Sequence, residues 1–298
     1  MSFDTARACG FVARAVKPLA KLDRMKIGIA VRTMGAQSSR EALLACALAA
    51  EAAGLDEIHV PDHIAIPPDD AEGSGGRYLD PLTALAWLGA KTERIGLATA
   101  VLILPYRPAL PTAKAIATVA ELTAGRFATL GVGVGWMEPE FRALGVPRAR
   151  RGALTDEALA FLNDAFAGDV VERNGQPFLF LPRPARPRIL IGGAPPHALA
   201  RATRHGDGWM PMAARPEQIE ADCARLRELF AITGKPAPEV AVLTRLPLAD
   251  PTRAADLARA FRAAGATSLV HGSRYADAAE FARDAEALAI ATRALRLG

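Results

Sequence analysis

Residues 26–61 read KIGIAVRTMGAQSSREALLACALAAEAAGLDEIHVP. The stretch changes texture twice. Lys26–Val31 is a short apolar run with β-branched residues. Arg40–Ala53 carries alanine and leucine at helical spacing, and Asp56–Pro61 returns to a short β-type run. Ser38 and Ser39 stand before the helical segment with Glu41 in its first turn, which is an N-terminal signal. Gly54 closes the helix and leads straight into the next strand. A strand, a helix and a second strand joined by short turns predict parallel strands with a crossover helix.

The same alternation continues to the end of the chain. Further strands are expected at Ile95–Leu102, Phe127–Val134, Arg188–Gly192, Gly208–Pro211, Glu239–Leu246 and Thr267–His271. Helices are expected at Pro81–Lys91, Ala109–Thr123, near Gly152–Phe166, and at Pro196–His205, Pro216–Thr233, Pro251–Ala264 and Ala276–Ala294. Eight strands and eight helices fill a closed α/β barrel of the TIM (β/α)8 type, and 298 residues suit one such unit. Two connections are long. Residues 62–80 leave the C-terminal end of the second strand with Pro67, Pro68, Gly73, Gly75 and Gly76, and read as a lid-like insertion. Residues 168–187 form an excursion after the fourth helix, with a small hairpin expected over Val170–Leu181. Residues 25–298 are read as one barrel domain. Residues 1–24 are read as an N-terminal arm, disordered or a non-native start, with Met25 the functional beginning.

Composition narrows the function classes. A net charge of +4 from mixed, scattered charges shows no stripe for nucleic acid. No run of eighteen apolar residues exists, so no membrane span is expected. Cys9, Cys46 and Cys223 have no disulfide or metal spacing, which suits small buried thiols in a cytoplasmic protein. A metal-dependent barrel hydrolase would need several His and Asp ligands on strand ends. His59, His197 and His205 stand in unsuitable places, so no metal is expected.

Four segments could carry chemistry. Val60-Pro61-Asp62-His63 ends the second strand, at the edge where barrel active sites lie. His63 can move a proton near neutral pH and Asp62 can accept hydrogen bonds; the alternative is a pair that satisfies local backbone. Gly131-Val132-Gly133-Val134-Gly135 ends the fourth strand, where missing side chains let backbone approach a ligand, or a strand bend at a barrel corner. Ile191-Gly192-Gly193-Ala194-Pro195 precedes a helix and is either a phosphate site at its N-terminus or a tight turn. Ala98–Leu102 reads as an ordinary buried strand.

Together these segments resemble the luciferase-like monooxygenase family, and within it the branch of F420-dependent oxidoreductases. The resemblance spans about residues 25–290. It rests on VPDH at 60–63, DPLTAL at 80–85, LILPYR at 102–107, LGVGVGW at 130–136, EFRALG at 140–145, IGG at 191–193 and GDGW at 206–209. It implies a cofactor, F420 or FMN, held at the C-terminal mouth. On it, Asp62 and His63 are the catalytic pair beside the ring. Ala100-Val101 lies at a bulge where relatives carry a cis peptide supporting the ring. Gly131, Gly133 and Gly135 lie near the cofactor tail, and Gly192, Gly193 and Ala194 form the phosphate turn. Asp207 is given a structural role, pairing with nearby backbone or with Arg201. Arg148–Arg151 steers anions or is a solvated basic loop.

The implied reaction is hydride transfer between F420 and a small organic substrate. The alternatives are an FMNH2-dependent monooxygenase using O2 and a non-catalytic flavin-binding protein. A homodimer and a reductase supplying reduced cofactor are also implied. The first strand ends in Val31-Arg32-Thr33, where relatives carry small or proline-rich endings. The eighth ends in His271-Gly272-Ser273-Arg274. Arg32 is thereby free to meet an acidic substrate, or to stand as an ordinary rim residue.

Overall fold

A computed structural model describes residues 24–212 and 215–296. The strands are β1 (Lys26–Ala30), β2 (Glu57–Val60), β3 (Gly96–Ile103), β4 (Phe127–Gly133), β5 (Val170–Arg173), β6 (Gln176–Leu179), β7 (Arg188–Gly192), β8 (Gly208–Met210), β9 (Glu239–Thr244) and β10 (Ser268–His271). Eight of them close a barrel in the order β1-β10-β9-β8-β7-β4-β3-β2, every pair parallel. The helices are α1 (Arg40–Ala52), α2 (Pro81–Gly89), α3 (Ala109–Leu122), α4 (Glu138–Ala143), α5 (Arg151–Ala167), α6 (His197–His205), α7 (Pro216–Ile232), α8 (Pro251–Ala263), α9 (Ala278–Ala291) and α10 (Arg293–Arg296). The expected TIM barrel is therefore present. The arm expected over residues 1–24 lies, apart from Arg24, outside the described residues, as does Cys9.

Local chemistry places the boundaries. The Ser39 hydroxyl accepts from Ala42 N at 3.2 Å and caps α1. Asp80 caps α2 by accepting from Thr83 N at 2.9 Å, with Pro81 in the first turn. The expected excursion is a hairpin in which β5 pairs antiparallel with β6. Its turn, Asn174-Gly175, has φ of 53° and 75°, as a two-residue primed turn requires. Two expectations need correction. A short helix, α4, stands before α5, where the sequence reading placed none. Arg201 is bound to Asp156 at 2.6 Å, so of the two partners expected for Asp207 only the nearby backbone is found. Asp207 instead takes Arg186 through both carboxylate oxygens at 2.9 Å and accepts from Ile189 N at 2.7 Å. Arg186 is three residues from Ile189, so one carboxylate can serve both.

The eight barrel strands are largely buried on both faces. Ile27, Ile29 and Val31 of the first strand row pack with Leu43, Cys46, Ala47 and Ala50 of α1 in the main core. The alternate residues face into the barrel. At its N-terminal end they form an ionic floor. Arg188 lies 2.5 Å from Glu239 and 3.7 Å from Glu57, and Lys26 reaches the same two acids at 3.9 and 4.0 Å. Thr129 donates to Glu57 at 2.8 Å. Above the floor sits the buried His59 ring, with Nε2 3.3 Å from Glu57. A Cβ on Gly28 would lie 2.8 Å from that ring, so the glycine makes its room. The next layer is apolar, with Leu190, Met210 and Ala241 packed against Ala100 and Val101. This plug leaves the C-terminal mouth as the open end of the barrel.

Candidate active site

Asp62 and His63 leave β2 in opposite directions. The Asp62 carboxylate is buried behind the mouth and fully engaged. It accepts from Ile103 N at 2.9 Å and from both terminal nitrogens of Arg107 at 2.6 and 2.9 Å. Arg107 also reaches Asp80, the α2 cap, at 2.9 Å. One guanidinium thus ties the end of β2 to the end of β3 and the start of α2. Burial pushes the Asp62 carboxyl up, against the pull of Arg107 and the Ile103 N–H.

His63 turns to the other side. Its Nδ1 lies 2.7 Å from Oε2 of Glu140 on α4. Glu140 is completely buried and is also the acceptor for Ile64 N at 2.6 Å, Ala65 N at 3.0 Å and the Tyr106 hydroxyl at 2.8 Å. Burial alone would raise its pKa. The His63 contact, the two amides and the Tyr106 hydroxyl outweigh that and hold it down at about 2. An ionised carboxylate can only accept, so the network assigns the proton on this side to His63 Nδ1. Among the described residues Nε2 has no hydrogen-bond partner. The imidazole is flanked by Tyr78, with ring centroids 5.0 Å apart, and by the edge of Trp136 at 6.2 Å. Trp136 is 64% exposed, far above the norm for its type, and stands beside the histidine at the open end.

The sequence reading quoted Glu140 in its motif and gave it no role. The available signal was an acid inside a short apolar turn, flanked by the buried residues Met137 and Phe141. Tyr78, Tyr106 and Arg107 were missed likewise, because only the closed barrel brings them to His63 and Asp62.

Val101 joins the remaining segments. The Ala100-Val101 peptide is cis, and the β3–β4 register shifts between Thr99 and Leu102. A Cβ on Gly133 would lie 2.5 Å from Val101 Cγ2, and one on Gly192 would lie 3.0 Å from its Cγ1. These two glycines therefore make space for Val101 inside the mouth. Gly131 lies deeper, where a Cβ would meet the Thr99 carbonyl at 2.2 Å and Met210 at 2.8 Å. Gly135, at φ 78°, gives way to Phe141 and so lets α4 dock with Glu140 inward. Gly193, at φ 109°, is unobstructed by comparison: a Cβ there would meet only Ala198 Cβ, at 3.9 Å. With Ala194 it lines a cavity of about 550 Å³ that also holds Trp209, Met212, Gln218 and Asp222. Trp209 Nε1 donates to the Gly193 carbonyl at 2.9 Å and fixes this turn. Pro195 and Pro196 lack N–H groups, so anion contacts here fall to Gly193, Ala194 and the first turn of α6. In the Arg148–Arg151 loop, Arg148 and Arg150 pair with the half-exposed Glu138 and Glu157, as solvated surface charges do.

The chain that builds this barrel matches one family description, luciferase-like monooxygenase, over residues 25–296. The chain belongs to the luciferase-like monooxygenase family. It is 34% identical over 210 residues to an uncharacterized protein of Mycobacterium tuberculosis, covering 64% of this chain and 72% of that one. It is 34% identical over 191 residues to the F420-dependent glucose-6-phosphate dehydrogenase of Beutenbergia cavernae, covering 59% and 54%. A solved F420-dependent secondary alcohol dehydrogenase, in complex with an F420-acetone adduct, shares the fold. Its TM-score is 0.75 at 17% identity, covering 92% of this chain and 99% of that one. Among the described residues of this luciferase-like barrel, no helix is long and apolar enough to cross a membrane.

The depressed Glu140 pKa has a pH consequence with a definite sign. Its unfolded value is near 4.5 and its folded value about 2, so its stabilising contribution is complete above pH 4.5 and is lost as pH falls toward 2. Thermal melts of wild type and Glu140→Gln should therefore differ most above pH 4.5 and converge as pH is lowered. A difference that stays constant down to pH 2 would contradict the assignment.

Proposed function

We propose that the chain is an F420-dependent oxidoreductase that moves a hydride between the deazaflavin and a small organic substrate. The observation that carries this reading is the His63–Glu140 pair, with Nε2 left open at the barrel mouth. When bound, F420 supplies a carbon that gives or takes a hydride. A proton must move with that hydride, and His63 Nε2 is the group to hold it. Glu140 fixes the imidazole through Nδ1 and stabilises its charged form. Asp62 serves as a positioning residue, since its carboxylate is spent on Arg107 and Ile103. Val101, seated on Gly133 and Gly192, would support the ring, and Gly193 with Ala194 would take the phosphate. Shape supports this division: Val101 is half-buried on the apolar layer below the mouth and the Gly193 turn borders a cavity.

The test is a side-by-side titration of the purified chain with F420 and FMN, followed by turnover with each. F420 is expected to bind at least about tenfold more tightly and to support hydride exchange. Tighter FMN binding with oxygen-dependent turnover would replace this reading with the monooxygenase one.

A further inference from the structure

Three arginines extend the inward-facing rows of three neighbouring strands. On β1, Lys26 lies in the ionic floor and Gly28 against His59; two further steps of two reach Arg32. On β9, Glu239 is in the floor and Ala241 in the apolar layer; two further steps reach Arg245. On β10, Val270 is paired with Gly28 and with Leu243, and two further steps reach Arg274. The strands end at Ala30, Thr244 and His271, so Arg32, Arg245 and Arg274 stand on the segments that leave the C-terminal ends of β1, β9 and β10, at the mouth.

Their charges are uncompensated. Among the described residues none of the three is in an ion pair. Arg32 is the sharpest case. Its Nη2 reaches the Gly73 carbonyl at 3.2 Å, while its Nε is buried with no hydrogen-bond partner. A buried guanidinium N–H without an acceptor is costly, and an incoming oxyanion would relieve that cost. Arg32 also lies near the chemistry. Burial raises the pKa of the Tyr78 phenol, the adjoining Glu140 adds to the rise, and the Arg32 charge opposes it. Tyr78 itself packs on His63.

We propose that the wall formed by β1, β9 and β10 binds an anionic group of the substrate, a carboxylate, sulfonate or phosphate, with Arg32 as its main contact and Arg274 and Arg245 at the rim. A planar guanidinium suits two oxygens of one such group. The wall stands across the barrel from β4 and β7, whose glycines cradle Val101, with β2 and His63 adjoining Arg32. Substrate and cofactor thereby come from opposite sides. The inference rests on the proposed function for the role of His63, but its test needs no cofactor.

Calorimetric titrations of the full chain with benzoate, benzenesulfonate and phenyl phosphate are compared with neutral benzamide of like size. Wild type is expected to bind at least one anion about tenfold more tightly than benzamide. Arg32→Gln should bring that preference within about twofold, and Arg274→Gln should weaken it. No preference in the wild type, or the same preference in both variants, would overturn the proposal. Melting temperature reports whether each variant folds, and Arg274, on the exposed rim, keeps the comparison readable if Arg32→Gln does not. F420 titration of the same proteins separates the two ideas. Failed F420 binding with the anion preference intact would end the hydride-transfer reading alone.

Discussion

His63→Ala is expected to keep its cofactor affinity and to lose about a hundredfold or more in turnover. The ring is held on one side by a buried carboxylate at 2.7 Å and flanked by Tyr78 and Trp136, so its orientation is set before substrate arrives. Removing it deletes the proton carrier and leaves Val101 and the Gly193 turn in place. Steady-state rates give the loss, and a cofactor titration gives the unchanged affinity. The same logic makes Glu140→Gln a milder version. An amide cannot stabilise the imidazolium, so turnover should fall and its pH profile should shift, while Gln still accepts from Ile64 and Ala65. Wild-type turnover in His63→Ala would remove the histidine from the mechanism. Absence of turnover in the wild type with either cofactor would favour the flavin-binding protein without catalysis.

Asp62→Ala should cost about 3–5 kcal/mol of stability, the largest loss expected from any single change at the site. The variant leaves the Arg107 guanidinium largely buried with only the half-exposed Asp80 as counter-charge, and leaves Ile103 N without its acceptor. Chemical denaturation measures the loss directly. Replacing both partners, Asp62→Leu with Arg107→Met, should recover much of it, because the uncompensated charge is then gone. A loss of less than about 1 kcal/mol in Asp62→Ala would mean that water reaches the pair. This experiment also separates the two members of the Asp-His motif. Destabilisation without a change in the pH profile of turnover marks Asp62 as structural, whereas His63 acts on the rate.

The glycines of the fourth strand have protein neighbours that their spacing alone does not reveal. The spacing Gly131, Gly133, Gly135 pointed to backbone approaching a ligand. The structure shows protein atoms in that space instead: Met210 and Thr99 against Gly131, Val101 against Gly133, and Phe141 against Gly135. The glycines shape the mouth by admitting side chains from β3, β8 and α4. Of the site glycines only Gly193 is free of a close neighbour, with Ala198 Cβ at 3.9 Å from a Cβ placed there. Ala98–Leu102 has the composition of an ordinary buried strand, and only the family resemblance singled out Ala100-Val101; the structure shows Gly133 and Gly192 making room for Val101.

The alternation of short β-runs with helices, punctuated by Ser39, Gly54 and Asp80-Pro81, determined by itself eight strand–helix units, the count of a closed barrel, and the place of His63 just beyond the end of the second strand. Such signals are local: periodicity and capping depend on residues a few positions apart. Tertiary structure alone decided the partners. Glu140 reaches His63 across 77 positions, Arg107 reaches Asp62 across 45, and Arg32, Arg245 and Arg274 come to neighbouring strand ends only because β1, β10 and β9 lie side by side. The role of a charged residue follows from what neutralises it once buried, and barrel closure, not sequence spacing, chooses that neighbour.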